Sequence, residues 1–273
     1  MDRRLTPANG RVAHVSLRGR VAAERFVVGV PGQVAVPMTD LCTVPEGARD
    51  RQLLMGAAVT VLETRGGWAF VQAVADGYVG WVAAAALAAD AAAPTHRVAA
   101  AATHLYPEAD LKRRETARLS LGAALAVAGA QGAFLQTPQG WVPACHLRPL
   151  QAPEADPVAV AERLTGTPYL WGGNSRDGID CSGLVQAALH ACGRRCPGDS
   201  DLQEAELGAP LPAGAPLRRG DLVFWQGHVG WMTDAGTLLH ANAHHMAVVA
   251  EPLAGAAARI AAAGGGDGRA RRL

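Results

Sequence analysis

The chain has 273 residues, of which 49% are hydrophobic and 18% are charged, and its formal net charge is +1. This composition supplies enough apolar side chains for sizeable cores and excludes an intrinsically disordered chain. The near-zero charge gives no indication of a nucleic-acid partner. We expect Arg269, Arg271 and Arg272 to form a short solvated tail rather than a nucleic-acid patch.

The N-terminal sequence has none of the features of an exported or membrane protein. Charged residues interrupt every apolar run in residues 1–25, so no signal peptide is predicted. The longest apolar run, residues 82–89, is far shorter than the roughly 20 residues that span a bilayer. We therefore expect a cytoplasmic protein with no membrane partner.

The five cysteines and the clustered histidines do not predict a metal site. Cys192 and Cys196 are close in sequence, but a structural zinc site needs about four ligands and no second cysteine pair follows. His240 and His244 are four residues apart, a spacing that suits a metal on a helix, yet their segment is strand-like. We expect reduced thiols, no metal and no organic cofactor.

A weak internal repeat organises the first half of the chain. Residues 55–61 resemble residues 121–127, and each copy continues through an aromatic segment to a Gly-Trp-Val unit, at 80–82 and 140–142. Short alternating strands with glycine turns at this spacing predict two small β-barrels. A single irregular β domain with chance similarity is the alternative.

The pattern changes after the proline-containing joint at residues 151–157. Beyond it the sequence predicts helices followed by strands, which indicates an α+β domain. The predicted helices cover residues 158–164, 182–192 and 253–263, and the predicted strands cover 221–225, 229–233, 238–242 and 246–250, with a flexible stretch at 264–268. The predicted organisation is an arm (1–32), a first barrel (33–90), a second barrel (91–150) and the α+β domain (151–273).

Cys181 is the candidate nucleophile. Residues 178–185 read Gly-Ile-Asp-Cys-Ser-Gly-Leu-Val, which places the cysteine at the start of a helix, where unpaired N–H groups lower a thiol pKa. The alternative is a small buried residue at a helix start. The flanking glycines and the adjacent Asp180 favour a polar pocket over a core.

His228 is the candidate base that would activate this thiol. It lies in the run Gly-His-Val-Gly at 227–230 and starts a predicted strand, from which its side chain can reach a helix end. His240 is placed to bind the other ring nitrogen and fix the tautomer, and Asn242 is the rival for that role. A cysteine, a base and an orienting group predict cleavage or transfer of an acyl group.

Four motifs together resemble the NlpC-type cell-wall cysteine peptidases. They are Pro-Tyr-Leu-Trp-Gly-Gly at 168–173, Asp-Cys-Ser-Gly at 180–183, Gly-His-Val at 227–229 and His-Ala-Asn at 240–242, in the family's order. The first half resembles the paired bacterial SH3-like domains of the dipeptide-releasing subgroup. The resemblance implies a multidomain fold: two small SH3-like β-barrels followed by an α+β papain-like cysteine peptidase domain.

The same resemblance implies a reaction and a set of site residues. The subgroup hydrolyses the bond between γ-D-glutamate and a diamino acid in murein peptides with a free N-terminal L-alanine, which fits recycling of wall fragments. Cys181 is then the nucleophile, His228 the base and acid, and His240 the orienting residue. Tyr169 would assist the oxyanion. The resemblance implies that Asp180 and Ser182 bind the terminal ammonium and that Tyr78 of the first barrel faces the same pocket. Trp171 would form an apolar wall, and Asp199 and Ser200 a polar pair near the substrate.

Two departures and two alternative functions accompany this interpretation. Ala57 stands where relatives often have an acidic residue, and Gly198 where they often have a basic one, so the fine substrate preference is open. A non-catalytic cell-wall peptide-binding module is the first alternative function. An acyltransferase or amidase on the same fold is the second.

Overall fold

The structure, a computed structural model, describes residues 1–273 and divides them into two compact units, Met1–Leu150 and Gln151–Leu273. The second unit therefore starts at the first residue of the proline-containing joint. None of the helices is both long enough and apolar enough to span a bilayer.

The N-terminal arm carries two short strands, β1 (Val12–His14) and β2 (Arg25–Val27), which pair in parallel. Val12 is fully buried in a cluster with Leu62, Phe70, Val79 and Trp81. The Arg11 guanidinium also donates to the Glu63 carboxylate at 2.7 Å. The arm is thus packed against the strands that follow it, by apolar burial and by an ion pair.

Seven strands then form one antiparallel sheet in the order β5-β4-β8-β7-β6-β3-β9. We call residues 30–88 the first β domain, because its first strand begins at Val30 rather than at the predicted residue 33. Ala69, Val71 and Ala73 alternate along β7 into its core, which explains the apolar alternation of the sequence. The strands are β3 (Val30–Val34), β4 (Met38–Cys42), β5 (Arg49–Leu54), β6 (Ala58–Arg65), β7 (Trp68–Ala73), β8 (Val79–Ala83) and β9 (Leu87–Ala88).

Residues 96–149 form a second β domain around a separate core of Val98, Leu105, Leu119, Leu125 and Val142. In both domains the Gly-Trp-Val strand leads into a 3₁₀ turn, Ala84–Ala86 or Ala144–His146, and then into a short closing strand. The shared order gives the sequence repeat a structural basis. The strands are β10 (His96–Val98), β11 (Ala102–Leu105), β12 (Ala117–Ser120), β13 (Ala124–Leu125), β14 (Gly129–Gln131), β15 (Phe134–Thr137), β16 (Gly140–Pro143) and β17 (Leu147–Pro149).

The α+β unit is built on a six-stranded antiparallel sheet in the order β20-β25-β21-β22-β23-β24. All five residues of β21 are buried, because helices cover both faces of the sheet. On one face α2 lies against β22 and β23, and on the other α4 packs against Val223 and Trp225. The helices are α1 (Pro157–Glu162), α2 (Cys181–Ala191), α3 (Ser200–Glu206) and α4 (Leu253–Ala262). The strands are β18 (Asn174–Ser175), β19 (Gly178–Ile179), β20 (Ala209–Pro210), β21 (Asp221–Trp225), β22 (His228–Met232), β23 (Thr237–Asn242), β24 (Ala247–Pro252) and β25 (Arg269–Arg272).

Short segments occupy both edges of this sheet. At one edge β20 has only two residues and ends in Pro210. At the other, the segment around Pro168 pairs with β24, with the N–H of Gly166 donating to Val248 O at 2.9 Å and the N–H of Val248 donating to Thr167 O at 2.8 Å.

The prediction that the C-terminal arginines form a solvated tail is wrong, because they form strand β25. Arg272 makes two bonds to the buried Asp221 carboxylate, at 2.8 and 2.7 Å. Arg269 binds Glu204, and Arg271 donates to the Leu207 carbonyl. Each arginine therefore has a partner on a neighbouring segment, and the sequence pattern shows only the charges.

The two β domains meet at the turn that the repeat places at Gly56. Gly56 has a φ of +82°, and a Cβ there would lie 2.1 Å from the Ala124 carbonyl oxygen. The N–H of Ala124 also donates to Met55 O at 2.8 Å, and the Met55 side chain belongs to the second core. A side chain at position 56 would separate the backbones of two domains that share this turn.

We predict that Gly56→Ala destabilises the first unit by about 2 kcal/mol or more, because a left-handed alanine costs about 1–2 kcal/mol and an overpacked contact about 1–3 kcal/mol. Gly132→Ala is the control, since Gly132 has a φ of +55° with nothing within 4 Å of the new Cβ. Urea unfolding of both variants measures the difference. Equal losses of stability would show that the Ala124 contact does not matter.

Candidate active site

The start of α2 is held by the Asp180 carboxylate. Its Oδ1 accepts from the N–H of Gly183 at 2.6 Å and from the hydroxyl of Ser182 at 2.9 Å, and its Oδ2 accepts from the N–H of Gly172 at 2.9 Å. This is N-cap geometry with an additional tie to the preceding loop. A Cβ on Gly183 would lie 2.5 Å from Gly173 O, so glycine is required for the loop to approach the helix.

Cys181, the first residue of α2, lies against the turn between β21 and β22 that carries His228. Its Sγ is 4.0 Å from the carbonyl oxygen of Gly227. On the other side of His228, the N–H of Val229 is close enough to the sulfur to act on its pKa. The structure thus brings the sulfur to the peptide groups on both sides of the predicted base.

His240 is the hydrogen-bond partner of His228. The Nε2 of His228 lies 2.8 Å from the Nδ1 of His240, which is completely buried. Asn242, the rival for this role, instead accepts from the N–H of His245 at 2.8 Å and organises the turn between β23 and β24. Since Nε2 of His228 is engaged by His240, its Nδ1 is the nitrogen available to exchange a proton with the thiol.

Two further residues extend this arrangement and were missed by the sequence analysis. Glu251 Oε1 lies 2.7 Å from the Nε2 of His240, and Arg259 of α4 binds the same carboxylate, with its Nη1 donating to Oε2 at 3.0 Å. Glu251 faces Leu238 across the β23–β24 ladder, on the same face as His240. Only the register of this hairpin identifies Glu251, and no sequence motif marks it.

Burial keeps both reacting groups uncharged in the free site. Burial, reinforced by Asp180, raises the pKa of the Cys181 thiol from 9.0 to about 12, although three nearby backbone N–H groups act to lower it. Burial, with His240 and Arg259 acting in the same direction, lowers the pKa of His228 from 6.5 to about 3. The predicted low thiol pKa is therefore wrong, because desolvation outweighs the helix N-terminus.

A neutral pair can still generate a nucleophile when the proton moves from the sulfur to the ring. With its pKa raised this far, the thiol is almost entirely protonated at pH 7. Transfer to His228 creates two opposite charges in a water-poor pocket, where their attraction offsets part of the desolvation of each. The arrangement fits general-base attack by Cys181 on an acyl carbon.

Tyr169 lies on the segment that pairs with β24, and its N–H donates to the Met246 carbonyl at 2.9 Å. Met246 has a φ of +51° in the turn after β23. Burial and the nearby Cys181 and Asp180 raise the pKa of the Tyr169 hydroxyl, so it remains a protonated donor at neutral pH. A donor of this kind close to Cys181 suits a developing oxyanion.

Ser182, Trp171, Asp199 and Ser200 occupy different surroundings. Ser182 is buried beside Asp180, whereas Trp171 is 72% exposed. Asp199 and Ser200 start α3, which Gln203 connects to α2 because its Nε2 donates to Ser182 O at 2.9 Å and Gly198 O at 3.1 Å. Gln203 is fully buried, and no sequence motif marks it.

Tyr78 belongs to the first unit, where it is 2% exposed within the core of the first β domain. The Arg51 guanidinium lies over its ring at 5.1 Å. These contacts account for Tyr78 as a core aromatic, and its substrate role stays a prediction.

No group of three or more His, Cys, Asp or Glu side chains is arranged to hold a metal ion. All five cysteines are free.

Family models match both halves of the chain. Residues 166–259 match the NlpC/P60 family, and residues 41–87 match the bacterial dipeptidyl-peptidase Sh3 domain. The NlpC/P60 match lies within the α+β unit and includes Cys181, His228 and His240. The matches support the predicted order of an SH3-like domain followed by an NlpC/P60-type domain. The peptidase activity and the SH3-like nature of the second β domain remain predictions.

Similar proteins include a probable endopeptidase of Corynebacterium glutamicum, 36% identical over 36% of this chain and 48% of that protein. A γ-D-glutamyl-L-lysine dipeptidyl-peptidase of Bacillus subtilis is 36% identical over 31% of each protein. The chain thus spans less than half the length of these relatives. The fold is similar to that of an NlpC/P60 family protein from Bacillus cereus, with a TM-score of 0.72, 22% identity and coverage of 82% of this chain and 94% of that one.

We predict that iodoacetamide alkylates Cys181 slowly in the free protein and that the rate rises with pH between about pH 5 and pH 9. The raised pKa keeps the thiol protonated in this range, and only the thiolate reacts. The exposed Cys145 provides the internal reference and should react at least about 100-fold faster at pH 7. Peptide mass spectrometry measures both rates. A fast rate that does not vary with pH would mean a preformed thiolate.

Proposed function

We propose that this chain is a cysteine peptidase that hydrolyses the bond between γ-D-glutamate and a diamino acid in murein peptides with a free N-terminal L-alanine. The observation that carries the proposal is the meeting of Cys181 with the turn of His228, whose ring is bound to His240. The NlpC/P60 match and the name of the Bacillus subtilis relative support the reaction and the bond.

In the proposed reaction, Cys181 attacks the γ-carbonyl carbon of the glutamyl residue as His228 takes the thiol proton. The tetrahedral oxyanion is bound by the N–H of Cys181 and the hydroxyl of Tyr169. The diamino acid leaves as an amine that receives the proton from His228, and a thioester remains. Water activated by His228 then hydrolyses the thioester and restores the thiol.

We propose that the substrate's terminal ammonium binds near Asp180 and Ser182. The Asp180 carboxylate already accepts three hydrogen bonds, which fix its position, and it is half-buried. An ammonium would form a charge-assisted hydrogen bond with it, whereas an acylated amine would desolvate the carboxylate without a cation. This difference makes a free amino terminus the expected requirement.

The remaining predicted contacts are assigned to the rest of the peptide. Trp171 offers an exposed apolar wall, and Asp199 and Ser200 offer polar groups at the start of α3. Ala57 and Gly198 supply no charge at positions that are often charged in relatives, so the fine substrate preference stays open.

We predict that L-Ala-γ-D-Glu-diaminopimelate is cleaved at least about 100-fold faster, in kcat/KM, than its N-acetylated form. The free and acetylated peptides, each with diaminopimelate or lysine in third place, are assayed by chromatography of the released diamino acid. Cys181→Ala should abolish release, and Cys145→Ala is the matched control. Equal rates for free and acetylated peptides contradict the ammonium site, and no release from any peptide contradicts the peptidase. Transfer to added amines instead of water would indicate an acyltransferase.

We predict that Tyr169→Phe lowers kcat by about 100- to 1000-fold with little change in KM, because the lost hydroxyl acts on the oxyanion. Steady-state kinetics on the cleaved peptide measure both constants. Tyr106→Phe, which changes a tyrosine packed on Phe134 in the second β domain, is the control. An unchanged kcat for Tyr169→Phe would remove this hydroxyl from the mechanism.

A further inference from the structure

The ring of His240 that is bonded to His228 also contacts an ion pair between Glu251 and Arg259, which no sequence motif marks. Glu251 Oε1 lies 2.7 Å from Nε2 of His240, and the two Nη atoms of Arg259 bind the two carboxylate oxygens as a fork. The Nδ1 of His245 is 3.7 Å from the same Oε1. The Glu251 side chain is 13% exposed, so these contacts are sheltered from water.

The direction of the hydrogen bonds follows from the chemistry of these groups. An ionised carboxylate only accepts, so the proton in the contact with Glu251 belongs to Nε2 of His240. A neutral imidazole has one N–H, so Nδ1 of His240 carries a lone pair and accepts from Nε2 of His228. The lone pair of His228 is therefore on Nδ1, the nitrogen that can take the thiol proton.

Because Glu251 is ionised, the hydrogen bonds keep their direction from His228 to His240 to Glu251. Burial acts to raise its pKa, but hydrogen bonds from Arg259 and His240 outweigh burial and lower the pKa to about 2. The carboxylate therefore remains an acceptor wherever both histidines are neutral. Without it, His240 is free to carry its proton on Nδ1 and donate to His228. His228 would then have its proton on Nδ1 and could not act as a base toward the sulfur.

We propose that Glu251, oriented by Arg259, is a positioning residue that fixes the tautomers of both histidines so that His228 presents a basic nitrogen to Cys181. The effect on turnover rests on the proposed peptidase function, whereas the effect on the tautomers does not. The chain's geometry favours this arrangement, because α4 begins directly after Pro252 and returns Arg259 to the carboxylate eight residues after Glu251.

The test compares Glu251→Leu, which removes the acceptor, with Glu251→Gln, which keeps the shape and one oxygen but loses the charge. Glu204→Gln is the matched control, because Glu204 forms a similar fork with Arg269 in the same unit. Nitrogen-15 NMR of histidine-labelled protein reports which ring nitrogen carries the proton. His228→Gln and His240→Gln serve only to assign the signals, and urea midpoints confirm that each variant is folded.

We expect Nε2–H tautomers for both histidines in the unsubstituted protein and in Glu204→Gln. In Glu251→Leu we expect His228 to shift toward the Nδ1–H tautomer and the alkylation of Cys181 to slow by about 10-fold or more. In Glu251→Gln we expect both changes to be smaller. In peptide cleavage, kcat should fall while KM stays unchanged. The expected fall in kcat lies between about 10-fold and the roughly 10⁴-fold seen when a triad histidine loses its orienting carboxylate.

Identical tautomers and alkylation rates in folded Glu251→Leu and the unsubstituted protein would overturn the proposal. A loss confined to KM would also overturn it, because a tautomer acts on the chemical step. If Glu251→Leu does not fold, Glu251→Gln and Arg259→Met decide the question by the same NMR signals. Because tautomers and alkylation are measured without substrate, they give a result even if no murein peptide is cleaved.

Discussion

The carboxylate of Asp180 is the constraint on which the rest of the site depends. By accepting from Gly172, Ser182 and Gly183, it joins the loop before α2 to the first turn of the helix. An N-cap of this kind typically stabilises a helix by about 1 kcal/mol, but here it also determines where Cys181 stands. Cys181 directly follows the cap and is the first residue of α2, and from this position its sulfur reaches the turn that carries His228. Asp180 therefore has a structural role that does not depend on substrate.

That same constraint sets the electrostatic character of the site. The helix N-terminus and the N–H of Val229 favour a thiolate, whereas burial and the negative charge of Asp180 oppose it. The opposing effects are larger, so the free site holds a neutral thiol and a neutral imidazole. In the proposed reaction, a substrate ammonium near Asp180 would offset the negative charge that opposes the thiolate. Substrate binding and activation of Cys181 would then be linked through one carboxylate.

The sequence alone was sufficient for the parts of the site that are local in the chain. The helix start at Cys181 and the strand start at His228 each follow from residue patterns within a few positions of each other. The sequence left Asn242 as a rival to His240, and only the fold shows that His240 is bonded to His228. Strand β21 was predicted with the bounds that the structure has. Local patterns encode these features because capping, turns and alternating burial are properties of neighbouring residues.

Features that depend on register or on burial could not be predicted. Glu251 reaches His240 only through the pairing of β23 with β24, and β25 is recognised only when Asp221 and Glu204 are seen beside its arginines. The thiol pKa was predicted in the wrong direction because a sequence shows the helix dipole but not the depth of the pocket. Tyr78 is similar, since its burial in a core is a property of the folded domain.

The two borders of the six-stranded sheet limit the addition of another strand in different ways. At one border β20 ends in Pro210, which has no N–H to offer a ladder. At the other, the segment around Pro168 pairs with the start of β24 and also with β19, where the N–H of Ile179 donates to Pro168 O at 3.0 Å. A further strand is therefore disfavoured at Pro210 and at the start of β24. These covered positions leave fewer unpaired backbone groups through which copies of the chain could associate edge to edge.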